Sequence, residues 1–323
     1  MRIQVPHPLS LPLTLESPPH PQLGFSEAML QRFWRPFLGG IFFDNELQVT
    51  DRLLTFVMRS LATGQNCLPS AGIGAVAKQL AAGVEAERIV LNSRVISLGA
   101  CTTNPQWTIL SLDGSSQGTI TAKRAVVLAV EGPEAARLTG LSGAGDAKRM
   151  EGVGTVCLYF SAPSAPCNNE PVLYLNGDGP GRLVNNACVP SAVAPSYAPP
   201  GQALISASVV GVPRPGSSLD PRSPAGDKAL AAAVSEELGQ WFGPAEVATW
   251  RHLRTYVVPF AQPGQSPPTR LERPVRVDGH SSGASSATRL YVCGDHVEAA
   301  TLDGALRSGR RAAEAVLEDL SVA

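Results

Sequence analysis

The residues with the plainest chemical potential stand near the carboxyl end, in the run Leu290-Tyr291-Val292-Cys293-Gly294-Asp295-His296 and the segment from Thr301 onward. An apolar strand that closes on Gly-Asp brings a carboxylate to the carboxyl edge of a sheet, where doubly wound folds bind their ligands. A helix is expected to follow over residues 302–320. On it Gly304, Ser308 and Ala312 recur every four residues, as do Ala305, Gly309 and Ala313, so one face is almost free of side chains. Such a face can lie against another backbone or a flat ring. The unpaired N–H groups at its start, near Leu302 to Ala305, suit a pyrophosphate or the electron-rich edge of a ring system. Small residues alone would signal only tight packing on a sheet; the Gly-Asp ahead of them favours a ligand.

Other patterns carry less. Gly72-Ile73-Gly74-Ala75-Val76-Ala77 matches the letters of the dinucleotide fingerprint, but Asn66-Cys67-Leu68-Pro69-Ser70-Ala71 precedes it where a buried strand is required. Asn92 and Arg94 stand where the ribose-binding acid should be, so the segment reads as a turn into a short helix. A nicotinamide dehydrogenase built on Gly72 to Ala77 would lose its cofactor in Gly74→Trp, and no such binding is expected. Gly143-Ala144-Gly145-Asp146-Ala147 reads as a linker. There is no Gly-x-Ser-x-Gly elbow, and the five histidines form no pairing pattern with Ser or Cys. His296, beside Asp295, reads as a loop residue near a cofactor. The four tryptophans read as packing residues.

Those residues need elements to hold them. Apolar spacing predicts helices over 25–37, ended or kinked by Pro36, over 51–62 with Gly64 as C-cap, and over 75–82. Strands are expected over 88–98, 107–112 and 118–122. Residues 125–130 form a continuous apolar run of the kind buried on both faces of a parallel sheet, with a short helix at 134–138. The strand-like runs at 156–160, 172–175, 183–187 and 203–210 suggest a mixed or antiparallel sheet. A helix over 227–242, a strand over 250–258 and a last strand at 289–293 complete the order. An α/β layer at the two ends of the chain, with a sheet-rich part between them, follows.

Composition narrows the class. Of the 323 residues 16% are charged, the net charge is −1, and no Lys/Arg-rich stripe appears, which argues against a nucleic-acid partner. The six cysteines are scattered without metal-ligand spacing and read as reduced thiols. No apolar run approaches the ~20 residues of a membrane helix. A soluble protein of a reducing compartment, cytoplasm or plastid stroma, is expected. The opening, with Pro6, Pro8, Pro12, Pro18, Pro19 and Pro21, resembles a linker and not a signal peptide.

Taken in order, Phe33-Trp34-Arg35-Pro36-Phe37-Leu38-Gly39-Gly40, Leu68-Pro69-Ser70-Ala71-Gly72-Ile73-Gly74-Ala75, Gln79-Leu80, Ser93-Arg94-Val95 and the Gly294-Asp295 strand with its helix resemble the flavin-containing amine oxidase and phytoene desaturase superfamily. Asn185-Asn186, the run Ala194 to Gly201 and Tyr256-Val257-Val258-Pro259-Phe260-Ala261 are similar to it as well. The resemblance implies an α/β (α+β mixed) fold: an incomplete Rossmann-like FAD-binding domain from residues 86–150 and 275–323, and a substrate domain from 25–85 (helical) and 151–260 (sheet and helix), after a linker at 1–24. It implies FAD as cofactor, with Arg94 and Val95 at the adenine side, Gly294 and Asp295 at the ribityl and pyrophosphate region, and Thr301, Leu302, Gly304 and Ala305 beneath the isoalloxazine ring. It also implies an amino-terminal βαβ unit that nothing before Phe25 supplies. The chain by itself is therefore expected to bind FAD poorly, with apolar edges such as Leu290 to Val292 exposed, unless a partner chain provides the other half. The expected substrate is a small apolar molecule or amine losing a hydride from a C–H or C–N bond. A non-catalytic module that keeps the substrate fold is the alternative.

Overall fold

The computed structural model describes residues 25–49, 51–101, 103–104, 108–113, 118–140, 152–179, 181–265, 272–277 and 288–321. The Pro-rich opening and the linker expected at 143–147 lie outside these residues. Among the described residues ten strands are formed: β1 (Arg94–Ala100), β2 (Thr108–Asp113), β3 (Thr119–Ala122), β4 (Ala125–Leu128), β5 (Val153–Ala162), β6 (Leu173–Leu175), β7 (Val184–Cys188), β8 (Ala203–Val210), β9 (Arg251–Gln262) and β10 (Arg289–Val292). Helices and both parallel and antiparallel pairs give the α/β class expected. The chain divides into two compact units, one of residues 1–83 and 153–262, the other of 84–152 and 263–323.

The first unit is organised by an antiparallel sheet in the order β6-β7-β8-β5-β9. Alternation along β5 and β8 sends Val156, Leu158, Phe160 and Ile205, Ala207, Val209 to one face. There the helix Pro224–Phe242 covers them with Leu230, Val234 and Leu238, all fully buried. Ser223 caps that helix by accepting the Gly226 N–H at 3.1 Å. The Glu237 carboxylate then accepts N–H groups of Leu183 and Val184 at 2.9 Å, which ties the start of β7 to the helix.

Pro36 does not end the first helical run. The segment passes from Glu27–Met29 through a π-helical turn, Leu30–Trp34, into Arg35–Phe42. The Arg35 N–H reaches back five residues to the Leu30 carbonyl, and this wider turn absorbs the donor that proline lacks. Helix Arg35–Phe42 packs on β7, with Gly40 against the Asn185 and Asn186 amides, where a Cβ would stand 2.6 Å from Asn186 Nδ2. Helices Asp51–Thr63 and Gly74–Ala81 complete the unit.

The second unit joins a parallel pair, β4 and β10, to an antiparallel meander, β1-β2-β3. Val126, Leu128 and Leu290 face a cluster that includes Val95, Leu98 and Leu110, while Tyr291 and Cys293 face Ala312 and Ala315 of the last helix, Leu302–Ser321. Two expectations are corrected. The run at 125–130 is not buried on both faces: Val127 remains 43% exposed, because the last helix lies over Tyr291 of β10 and Cys293 just after it. Nor is β10 an open apolar edge, since Val292 and Val277 donate N–H groups to Val275 and Leu290, and residues 275–277 cover its far side.

Candidate functional site

Strands β4 and β10 run in register, Ala125 with Arg289 through Leu128 with Val292, so their carboxyl ends lie side by side. The chain leaves β10 at Gly294, whose φ of +147° favours glycine and where a Cβ would stand 2.6 Å from His296 Nδ1. Its N–H donates to Ser308 Oγ at 2.8 Å, and that hydroxyl donates to the Ala305 carbonyl at 2.7 Å. One serine on the helix therefore fixes the end of the strand. Asp295 opens a single 3-10 turn, Asp295–Val297, and sits half-buried at the edge of the sheet.

After the buried pair Ala299 and Ala300, the Thr301 hydroxyl accepts the Gly304 N–H at 3.0 Å, and Ala305 N–H meets the Thr301 carbonyl at 3.0 Å. This is the N-cap arrangement expected of Thr, and it leaves the Leu302 and Asp303 N–H groups at a helix end without partners of their own turn. A Cβ on Gly304 would run into the Ala299 carbonyl. The Gly304, Ser308, Ala312 stripe is thus consumed in packing on the unit's own strands. Ala305 and Gly309 stay half-buried on a neighbouring line, with Leu302 and Leu306 exposed beside them.

An ion-pair system holds the turn from behind. Buried Glu298 meets Arg311 at 2.6 Å and Arg307 at 3.6 Å. Arg311 also donates to the Arg273 carbonyl at 2.6 Å, and Arg273 N–H reaches the Val297 carbonyl at 2.9 Å. Burial pushes the Arg273 guanidinium below its ordinary pKa. Further along, the Tyr291 phenol donates to Asp319 at 2.7 Å, and the Arg276 guanidinium beside it, with that phenol, holds the Asp319 carboxyl below the usual range.

Arg94 and Val95 begin β1. Val95 packs in the cluster of Val126, Leu128 and Leu290, so β4 and β10 are what join it to the Gly294 turn. The Arg94 guanidinium is exposed and stands 3.7 Å from Glu134 on helix Gly132–Thr139, which follows β4. Arg137, bonded to both Glu134 and the Ile96 carbonyl, lowers the Glu134 pKa, with Arg94 adding a smaller effect.

Gly294, Asp295, Thr301, Leu302, Gly304 and Ala305 are brought together in one strand-turn-helix piece. Residues missed from the sequence are Ser308 as a hydrogen-bonding bridge and the Glu298–Arg311 pair. Ser308 was visible only as a small residue at helical spacing, and nothing in the thirteen-residue offset of Glu298 and Arg311 signalled a pair. Gly72 turns with φ +83° into helix Gly74–Ala81, and Tyr197 and Ser196 bond the Pro69 and Ser70 carbonyls before it, so no strand leads into this glycine motif. Among the described residues no group of acids, cysteines and histidines could hold a metal, and no helix is long and apolar enough to cross a membrane.

Solved structures share the fold. An oxidoreductase from Methanosarcina mazei superposes with TM-score 0.61 at 16% identity, over 90% of this chain and 66% of its own. A protein of Exiguobacterium sp. 255-15 with the provisional name protoporphyrinogen oxidase gives 0.68 at 17% identity, over 98% and 69%. Reduced UDP-galactopyranose mutase gives 0.56 at 13%, over 100% and 70%. At these identities the likeness is one of fold, and the chain spans about two thirds of the length of each structure. A search of curated proteins finds no match. The model of the flavin-containing amine oxidoreductase family matches residues 20–317, nearly the whole sequence, and the chain belongs to that family.

Proposed function

We propose that this chain carries part of the cofactor site and the substrate fold of an FAD-dependent oxidoreductase acting on a small molecule. FAD, when bound, supplies a hydride acceptor for a C–H or C–N bond. The observation that carries the reading is the strand-turn-helix piece locked by Ser308, which sets Asp295 and the amino-terminal end of helix Leu302–Ser321 at the carboxyl edge of the β4–β10 pair. The donor set fits a flavin. Asp295 can accept ribityl hydroxyls, and the first-turn N–H groups of Leu302 and Asp303 suit the electron-rich edge of the ring. Asp303 makes that end a poorer seat for pyrophosphate, which agrees with Thr301 to Ala305 lying under the ring. Arg94 and Val95 take the adenine side.

A non-catalytic binding module is the second reading, and one observation favours it. The Cβ-excluded space at Gly294 and Gly304 is filled by the protein's own His296 and Ala299, so these glycines are explained without a ligand. Titration of the purified chain with FAD, followed by quenching of flavin fluorescence, separates the two. Weak binding that falls about tenfold or more in Asp295→Ala is expected, from the loss of hydrogen bonds to a charged group. Binding that is absent, or the same in the variant, overturns the cofactor reading. Flavin retained in stoichiometric amount through gel filtration overturns the expectation of weak binding.

A further inference from the structure

The five-stranded sheet has a second face, turned away from helix Pro224–Phe242, and its side chains are chemically unlike a core. Cross-strand register places Cys157 and Tyr159 of β5 on it, opposite Ser208 and Ser206 of β8, with Asn186 and Cys188 of β7 beyond. From β9, Tyr256 stands opposite Cys157 and Arg254 opposite Tyr159. Cys157 Sγ and Ser206 Oγ lie 3.3 Å apart, and the Tyr159 and Tyr256 rings meet edge to face at 5.8 Å. Helix Arg35–Phe42, packed on β7, walls one side.

The charge on this face decides what it can hold. Paired residues share a face, so Arg251, opposite Ser161, joins Arg254 there, and no residue that the register assigns to it is acidic. Neither arginine has an ion-pair partner among the described residues. The Arg254 guanidinium lies 5.2 Å from the centre of the Tyr256 ring and occupies the position over the aromatic face that an ammonium group would seek. The Cys188 thiol and the Tyr159 phenol add no negative charge at neutral pH: burial pushes Tyr159 up to about 12 and Cys188 up to about 11. A protonated amine would meet two cations and no anion. A carboxylate would find a guanidinium fork suited to it, with aromatic edges for an apolar body and neutral hydroxyl and thiol groups for its polar substituents.

We infer that this face is a binding site for an apolar organic carboxylate, anchored by Arg254 with Arg251 near it and lying along Tyr159 and Tyr256. As the oxidoreductase substrate class, this rests on the function proposed above; as a binding site it does not.

The test uses naphthoate and naphthylmethylammonium as matched probes of opposite charge, titrated against the purified chain and followed by probe fluorescence. Naphthoate is expected to bind more tightly than the ammonium probe. Its affinity should fall about tenfold or more in Arg254→Gln, the loss of a charge-assisted contact, and Arg254→Glu should reverse the preference. Tyr159→Phe should weaken naphthoate less. Circular dichroism melting of each variant checks that the exposed Arg254 can be changed without unfolding. Equal or tighter binding of the ammonium probe, or naphthoate affinity unchanged in both Arg254 variants, overturns the proposal. FAD titration of the same samples keeps the two readings apart: naphthoate binding without FAD binding defeats only the cofactor reading, and the reverse defeats only this one.

Discussion

At the scale of single residues, the turn after β10 depends on atoms that leave no room. Gly304→Val would drive a branched side chain into the Ala299 carbonyl, so the helix start must move. The expected cost is ~3 kcal/mol or more, as for overpacking of a tight site, seen as a lower midpoint in urea with flavin affinity lost alongside. Ser308→Ala is the gentler change. It removes a fully buried hydroxyl that bonds Gly294 and Ala305, and should cost ~1–3 kcal/mol. Titration adds a pH signature. The Asp319 carboxyl is held low by Arg276 and Tyr291, and Glu134 and Asp220 by Arg137 and Arg222. Groups with depressed folded pKa contribute stability above their unfolded pKa, near ~4, and lose it as the pH falls through the folded value. Denaturant midpoints should therefore drop on acidification below about pH 4 and change less steeply in Asp319→Asn. For Asp319 and Glu134 the effect should be small and weakened by salt, because about a quarter of each side chain stays in water. A parallel pair of pH profiles would refute it.

Elements show where the sequence was readable and where it was not. Regular alternation made β5 and β8 plain, and the Gly-Asp stop with its small-residue helix made the β10 turn plain. The strand expected over 88–98 begins only at Arg94. Ala86–Arg88 form a tight turn and Asn92 takes φ +55°, so Leu91 is 75% exposed although its type suggests a core position. Hydrophobic character alone does not report a backbone that turns. Likewise Pro36 was expected to end or kink its helix, and the π-turn before it, which is a matter of hydrogen bonding and not of residue type, lets the helix continue. Glu237 lies on the helix expected over 227–242, where its residue type alone marks no special role. In the fold its carboxylate serves the N–H groups that open β7, so Glu237→Ala is expected to cost ~1–3 kcal/mol, more than an exposed acid, with loss measured by thermal melting.

As a whole molecule, the chain belongs to the flavin-containing amine oxidoreductase family. The mutase and the oxidoreductases share this fold, and a fold does not fix chemistry. Asp295 at the sheet edge and Arg254 on the second face of the five-stranded sheet are where specificity can be tested. The way the units are strung together has another result. Each is assembled from two separated stretches of chain, and β4 pairs with a strand from the far end of the sequence. On the ribosome, β4 emerges long before β10 and must wait with its apolar edge unpaired, whereas the five-stranded sheet gathers within one continuous stretch. Closing so long a loop delays pairing. Synthesis should thus yield a protease-resistant five-stranded sheet first and a second unit that settles only after release, during which interval chaperone dependence is concentrated on that second unit.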